Sequence, residues 1–136
     1  MCIRDRKYSV DKQERYSVFS LNELSLNSIL APDVKSEFVI FRNEGVKNLL
    51  LDLSNVKFVD SSGLSAILTA NRLWKGFELF VITGVDHPAV KKLIEISRLD
   101  SVLTIIATLT EAIDFVMMDE LEKELSADAD SDDNMQ

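Results

Sequence analysis

The feature that most constrains this fold is a long apolar run that leads through a polar turn into an amphipathic helix. Residues 46–53 are almost unbroken in apolar character, which is typical of a strand covered by helices on both faces of a parallel sheet. The turn reads Asp-Ser-Ser-Gly at residues 60–63, and a helical pattern extends from Leu64 to Trp74. The sequence therefore predicts an α/β core built on a strand, a turn and a helix.

The polar turn has the composition of a helix start. Asp and Ser side chains accept hydrogen bonds from the unpaired N–H groups of a first helical turn, and of the two serines Ser62 is better placed to cap this helix. Ser65, Thr69 and Arg72 follow at spacings of three, four and three residues, so they share one narrow face with Ser62. The expected polar surface consists of Asp60, Ser61, Ser62, Ser65, Thr69 and Arg72.

A second apolar strand follows this helix. Gly76 ends the helical pattern, and residues 78–83 form the next apolar run. Strand, helix and strand at this spacing predict a βαβ unit, whose crossover is right-handed in nearly all known cases. The other predicted elements are a hairpin over residues 7–21, an irregular crossover over 22–31, a helix from Pro32 to 43–45, a helix after His87-Pro88, a strand over 102–106 and a last helix capped by Thr108. In that last helix, the expected buried stripe is Ile113, Val116, Met117 and Leu121.

The net charge of -8 is unevenly distributed. Residues 119–136 contain eight acids and one lysine, a charge of -7, so the preceding residues have 15 acids and 14 bases, a charge of -1. A nearly neutral body argues against direct binding to nucleic acid, which requires a clustered basic face. We expect one domain over residues 7–118, and we expect residues 119–136 to comprise the end of the last helix and an acidic disordered tail.

The N-terminal residues and the lengths of the apolar runs indicate the cellular compartment of the protein. No apolar stretch approaches the roughly 20 residues needed to span a bilayer, and the N-terminus lacks the apolar region of a signal peptide. We therefore expect a cytoplasmic protein without a membrane partner. Cys2 has no second cysteine to pair with, so neither a disulfide nor a thiolate metal site is expected. Residues 1–6 fit no element and are interpreted as a leader that is flexible or foreign to the folded unit.

Three interpretations of Ser61 are open: a catalytic nucleophile, a phosphorylation site and a helix cap. The turn is not a G-x-S-x-G motif, because Asp60 stands where the first glycine would precede Ser62. The sole histidine, His87, falls at another helix start. The sequence has no glycine-rich phosphate loop, metal-ligand cluster or nucleotide fingerprint. Taken alone, the residues favour a cap over a nucleophile, and we expect neither an enzyme nor a cofactor or metal site.

The turn and its neighbouring segments resemble the STAS domain of anti-sigma factor antagonists. The resemblance rests on FVDSSGLSAIL and on the downstream segments ELFVITGV, HPAVKKLIEISRLDSVLTI and LTEAIDFV. It covers residues 7–118 and implies a single α/β STAS domain. Such a domain has a mixed sheet of four to five strands, four helices and a central βαβ unit.

The resemblance also implies a function. In that family, the serine directly after the aspartate is phosphorylated by a serine kinase that is also the anti-sigma factor, and this position is Ser61. The unphosphorylated antagonist binds the GHKL-type kinase and releases sigma, and a PP2C-type phosphatase resets it. The implied role is regulation of bacterial transcription through protein binding. The implied partner-binding residues are Asp60, Ser61, Ser62, Gly63, Ser65, Thr69 and Arg72.

Two positions depart from the family's pattern. Residues 22–25 read Asn-Glu-Leu-Ser where the family often has Gly-Glu-Leu-Asp, which alters the partner surface near that turn. Arg98 stands where a glycine often precedes leucine, which shifts a helix cap and leaves the motif at Ser61 unchanged. Two other function classes stay open. One is a STAS docking or scaffold subunit of a signalling or transporter-associated complex without a phospho-switch, and the other is a nucleotide-binding or weakly hydrolytic protein.

Overall fold

Three strands open the described part of the chain, and the four helices that follow are separated from one another by one or two strands, as expected of an α/β fold. The computed structural model describes the backbone of residues 8–76 and 78–134 and the side chains as far as residue 126. The predicted leader, residues 1–6, lies outside this part of the chain. The strands are β1 (Tyr8–Lys12), β2 (Tyr16–Leu21), β3 (Ser25–Leu26), β4 (Asn48–Asp52), β5 (Phe58–Val59), β6 (Phe80–Thr83) and β7 (Thr104–Ile106). The helices are α1 (Ala31–Asn43), α2 (Ser61–Trp74), α3 (Pro88–Ile96) and α4 (Leu109–Asn134), with a short 3-10 helix at Leu99–Ser101.

Five of these strands form a mixed sheet in the order β1-β2-β4-β6-β7. β1 and β2 are an antiparallel hairpin, and β2, β4, β6 and β7 are parallel neighbours. The two-residue strands β3 and β5 form a separate parallel pair. The structure therefore confirms the predicted hairpin, the mixed sheet and the central βαβ unit, in which α2 lies between β4 and β6 along the chain.

The parallel strand β4 is buried on both faces, as its apolar run predicted. Successive side chains of a strand point to opposite faces, so Leu49 and Leu51 belong to one apolar core and Leu50 to another. The first core includes residues of α1, α2 and α3, among them the fully buried Trp74. The second core contains Ala112 and Val116 of α4. The sheet thus separates α2 from α4.

A buried polar contact fastens α4 to the sheet. Asn48 is fully buried, and its Nδ2 donates to Oε1 of Glu120 at 2.7 Å and to the carbonyl oxygen of Arg15 at 2.8 Å. Its Oδ1 accepts a hydrogen bond from the backbone N–H of Leu79 at 2.9 Å. Both donors and the acceptor oxygen of this amide have partners, which is the condition under which a polar side chain can be buried without a large cost.

The last helix differs from its prediction in two respects. Of the expected buried stripe, Val116 is fully buried and Ile113 half-buried, but Met117 and Leu121 are exposed. Ala112, which was not expected on the stripe, is fully buried. Because α4 has apolar side chains on more than one side, its periodicity alone does not select the face that packs. The helix also continues to Asn134, where composition predicted a disordered tail. These residues extend an existing helix, so they avoid the cost of nucleating a new one.

Several predicted helix boundaries are confirmed. Gly45 follows α1 with φ of +83°, the left-handed conformation expected of a glycine cap. The side chain of His87 accepts the backbone N–H of the second residue after it at 3.3 Å, at the start of α3. Oγ1 of Thr108 accepts the backbone N–H of Glu111 at 3.2 Å. The crossover over residues 22–31, predicted to be irregular, contains β3, which is too short to show an alternating pattern.

Candidate docking surface

Asp60 is the residue that caps α2. It follows β5 with an extended backbone, and its Oδ1 accepts a hydrogen bond from the backbone N–H of Gly63 at 2.9 Å. Ser61 and Ser62 are consequently the first two residues of the helix. The prediction that Ser62 caps the helix is wrong, because the carboxylate directly before the helix already binds an N–H group of the first turn.

Gly63 lies beneath the turn and not on the surface. It is buried, and a Cβ added there would overlap the carbonyl oxygen of Leu26 and lie 2.8 Å from Cγ of Leu26. The backbone N–H of Asp60 donates to the same carbonyl at 3.2 Å. The resemblance implies Gly63 as a partner-binding residue, whereas its burial gives it a structural role. The absence of a side chain allows β3 to approach the first turn of α2 closely.

Ser61 presents its hydroxyl to solvent. The residue is exposed, and within residues 8–76 and 78–126 no protein group hydrogen-bonds to its side chain. Ser62 and Ser65 are half-buried, and all three serines line a cleft of about 320 Å³ beside the first turn of α1. Lys35 of α1 lines the same cleft. A group attached to Ser61 would therefore be close to solvent and to the N-terminus of α2, beside a cleft that Lys35 also lines.

The polar face continues along α2 for three turns. Thr69 is half-buried, and its Oγ1 donates to the carbonyl oxygen of Ser65 at 2.9 Å, so this hydroxyl is engaged within the helix. Arg72 is exposed in the last turn. The structure places the six residues of the expected polar surface on one side of α2, and of these Asp60, Ser61 and Arg72 are the most exposed.

Two exposed apolar side chains adjoin the start of α2 and were missed by sequence reasoning. Leu24 is 60% exposed and Phe58 58% exposed, and the two residues are joined through the backbone, where the carbonyl oxygen of Leu24 accepts the N–H of Phe58 at 3.2 Å. The ring centroid of Phe58 lies 5.8 Å from that of His87. β5 is only two residues long and lies outside the main sheet, so it shows no alternating pattern that would mark Phe58 as exposed. Its exposure accompanies the pairing of β5 with β3, which no local pattern in the sequence indicates.

Beyond α2, a sizeable cavity of about 590 Å³ lies between α3 and β7. Lys91, Ile94 and Ile105 are among the residues that line it, and none of the polar face of α2 does. Across the described residues, no three His, Cys, Asp or Glu side chains are grouped so that they could hold a metal ion. In the same part of the chain, none of the helices combines the length and apolar character needed to cross a bilayer.

The family of the chain follows from a match over most of its length. A family model described as the STAS domain matches residues 7–112. The chain belongs to the STAS domain family. This result confirms the resemblance seen at the Asp-Ser-Ser-Gly turn. A comparison with curated proteins gave no significant match for this STAS domain.

Solved structures share the fold of this STAS domain. An anti-sigma factor antagonist from Mycobacterium paratuberculosis matches with a TM-score of 0.74 and 23% identity, over 81% of this chain and 92% of its own. The Bacillus cell fate determinant SpoIIAA in its phosphorylated form matches with a TM-score of 0.64 and 19% identity, over 80% of this chain and 98% of its own. A sulfate transporter family protein from Wolinella succinogenes matches with a TM-score of 0.68 and 12% identity, over 79% of this chain and 89% of its own. At these identities, the likeness shows a common fold.

Proposed function

We propose that this STAS domain is an anti-sigma factor antagonist in which Ser61 is the site of a phosphorylation switch. The observation that carries the proposal is the exposure of Ser61 in the first turn of α2, where Asp60 supplies the helix cap. A kinase can reach this hydroxyl without breaking the cap. Membership of the STAS family, and anti-sigma factor antagonists among the structures of the same fold, support the same role.

The fold should tolerate a phosphate on Ser61. A phosphate adds a charge of about -1.5 to -2, and a helix N-terminus favours an anion through its free N–H groups and its dipole. Lys35 in the adjoining cleft adds a positive charge near the same position. The exposed carboxylate of Asp60 acts in the opposite direction. Because these effects oppose one another, we expect phosphorylation to change the free energy of unfolding only slightly.

The unmodified surface is suited to binding another protein. Leu24 and Phe58 offer exposed apolar area near Ser61, and removing such area from water favours association. A phosphate on Ser61 would have to lose its hydration in the same contact, and it would repel any carboxylate of the partner that faced it. Phosphorylation is therefore expected to prevent docking while the domain stays folded.

The proposed partner is a GHKL-type serine kinase that is also the anti-sigma factor. The unphosphorylated domain binds this kinase, and sigma is released. The kinase in turn phosphorylates Ser61, and a PP2C-type phosphatase removes the phosphate. In this cycle the domain contributes a binding surface and no catalytic group, so we propose a cytoplasmic binding protein that is not an enzyme and does not contact nucleic acid.

A pull-down from the lysate of the source cell tests this proposal. The baits are the wild type, Ser61→Asp and the matched control Ser36→Asp, whose substitution lies at an exposed serine of α1. We expect the wild type and Ser36→Asp to recover a serine kinase that Ser61→Asp does not, and we expect phosphate on Ser61 of the recovered wild type. Recovery of the kinase by all three baits, with Ser61 unmodified, would refute the switch.

A second function is favoured by the sulfate transporter family protein that shares this fold. In a docking subunit of a signalling or transporter-associated complex, the same face of α2 would bind its partner without a phosphorylation switch. Such a subunit would recover the same partners whether residue 61 is serine or aspartate. The pull-down therefore separates the two functions by the behaviour of Ser61→Asp relative to Ser36→Asp.

A further inference from the structure

The side of α4 that faces away from the sheet has a row of exposed apolar side chains. They are spaced three or four residues apart, so they share one side of the helix, and we call them the outer α4 ridge: Phe115, Met118, Leu121 and Leu125. Between 43% and 59% of each residue is exposed. The side of α4 that faces the sheet buries Ala112, Val116 and Glu120 instead. The ridge is therefore an apolar surface separate from the core.

The charges beside this ridge are negative. The helical repeat places three exposed carboxylates on the same side of α4: Glu111, Asp114 and Glu122. Lys123 is the only cation among residues 109–126. It is turned to the other side of the helix, where its Nζ lies 2.9 Å from Oε2 of Glu78. Residues 109–126 therefore provide no positive charge on the outer side to offset these three carboxylates.

The part of α4 that presents the ridge is held in place by contacts on its other side. Glu120 accepts a hydrogen bond from the buried amide of Asn48, and Glu124 pairs with Arg15. These contacts join the second half of the described helix to the sheet and to the start of β2. A surface held in this way loses little conformational freedom when a partner binds, which favours affinity.

We propose that the outer α4 ridge binds a basic amphipathic helix of a partner protein. The apolar row of that helix would pack on the ridge, and its lysine and arginine side chains would pair with the three carboxylates. A second copy of this chain is disfavoured, because two α4 helices would bring like charges together in either direction. An anionic membrane is disfavoured for the same reason. Since the sheet separates α4 from α2, this proposal is independent of the switch at Ser61.

The test uses a fluorescent synthetic peptide about five helical turns long, with leucines on one side and lysines on the other. Fluorescence anisotropy measures its binding to the full chain and to the double variant Met118→Gln with Leu121→Gln. Val102→Gln is the matched control, because Val102 is another exposed apolar residue outside α4. We expect the double variant to bind roughly tenfold more weakly or worse, the control to bind like the wild type, and added salt to weaken binding.

A second variant, Asp114→Asn with Glu122→Gln, tests the charges without altering the ridge, and it keeps the test valid if the first variant fails to fold. We expect weaker binding at low salt and a smaller salt dependence than in the wild type. Three results would overturn the proposal. They are wild-type affinity in both double variants, equal binding of a peptide with glutamate in place of lysine, and self-association or binding to anionic vesicles that the ridge substitutions abolish.

Discussion

Gly63 and Leu26 lie so close together at the start of α2 that a single methyl group on Gly63 would not fit. The added Cβ would overlap the carbonyl oxygen of Leu26, a backbone atom that cannot rotate away, and would lie 2.8 Å from its Cγ. The same carbonyl accepts the backbone N–H of Asp60 at 3.2 Å. This contact fixes β3, and with it the exposed Leu24, relative to Ser61.

We expect Gly63→Ala to lower the free energy of unfolding by about 3 kcal/mol or more, because backbone atoms must move apart to admit the methyl group. Gly76→Ala is the matched control. Gly76 has φ of +76° and no atom within 4 Å of an added Cβ, so its substitution should cost only about 1–2 kcal/mol of left-handed strain. Urea denaturation of both variants measures the difference. Equal losses would show that β3 does not press against α2 at this position.

The cap on α2 can be tested apart from its charge. Asp60→Ala removes the oxygen that accepts the N–H of Gly63, and we expect a loss of about 1 kcal/mol in the free energy of unfolding. Asp60→Asn retains an oxygen that can accept the same hydrogen bond, so most of the stability should be recovered. Urea denaturation compares the two variants. If asparagine costs as much as alanine, the charge of Asp60 and not its hydrogen bond stabilises the helix start.

Asn48 should contribute strongly to stability through its buried contacts. Asn48→Ala leaves the carboxylate of Glu120 and the backbone N–H of Leu79 without this partner, so we expect a loss of roughly 3 kcal/mol or more. Asn71→Ala on α2 is the matched control, because Asn71 is half-buried and its side chain makes no hydrogen bond within the described residues. We expect a change below about 0.5 kcal/mol there. Similar losses in the free energy of unfolding for the two variants, measured by urea denaturation, would contradict the conclusion that the contacts of Asn48 hold α4 against the sheet.

Phe58 should matter more for docking than for folding. Because most of the residue is exposed, we expect Phe58→Ser to change the free energy of unfolding by less than about 1 kcal/mol. Because Phe58 is proposed as an apolar anchor beside Ser61, its replacement by serine should weaken binding of the recovered kinase by roughly tenfold. Val102→Ser, which removes an equally exposed apolar side chain outside this surface, should leave binding unchanged. Wild-type affinity of Phe58→Ser in calorimetry would exclude β5 from the docking surface.

Much of the fold was predictable because burial and helix termination leave strong local patterns. The apolar run over residues 46–53 predicted a strand buried on both faces, and β4 is such a strand. Glycines at predicted helix ends have positive φ, +83° at Gly45 and +76° at Gly76. Arg98 adopts the same left-handed conformation, with φ of +59°, at a position where the family often has glycine. These signals act within a few residues, so the sequence displays them directly.

The features that were not predicted depend on tertiary contacts. β3 and β5 have two residues each and exist because they pair with one another, which no local pattern indicates. The same pairing exposes Phe58, although its residue type favours the core. At the candidate site, helical spacing predicted the polar face of α2. The burial of Gly63 was not predictable, since it depends on how closely Leu26 approaches from a distant part of the chain.

The central claim is that a negative charge on Ser61 prevents docking and leaves the domain folded. The most direct measurement is calorimetric titration of the recovered kinase, without ATP, with the unmodified domain and with the domain phosphorylated on Ser61, alongside the free energy of unfolding of each form. We predict binding at least roughly tenfold weaker for the phosphorylated form, with stabilities that differ by less than about 1 kcal/mol. Equal affinities, or a loss of stability as large as the loss of binding free energy, would contradict the account.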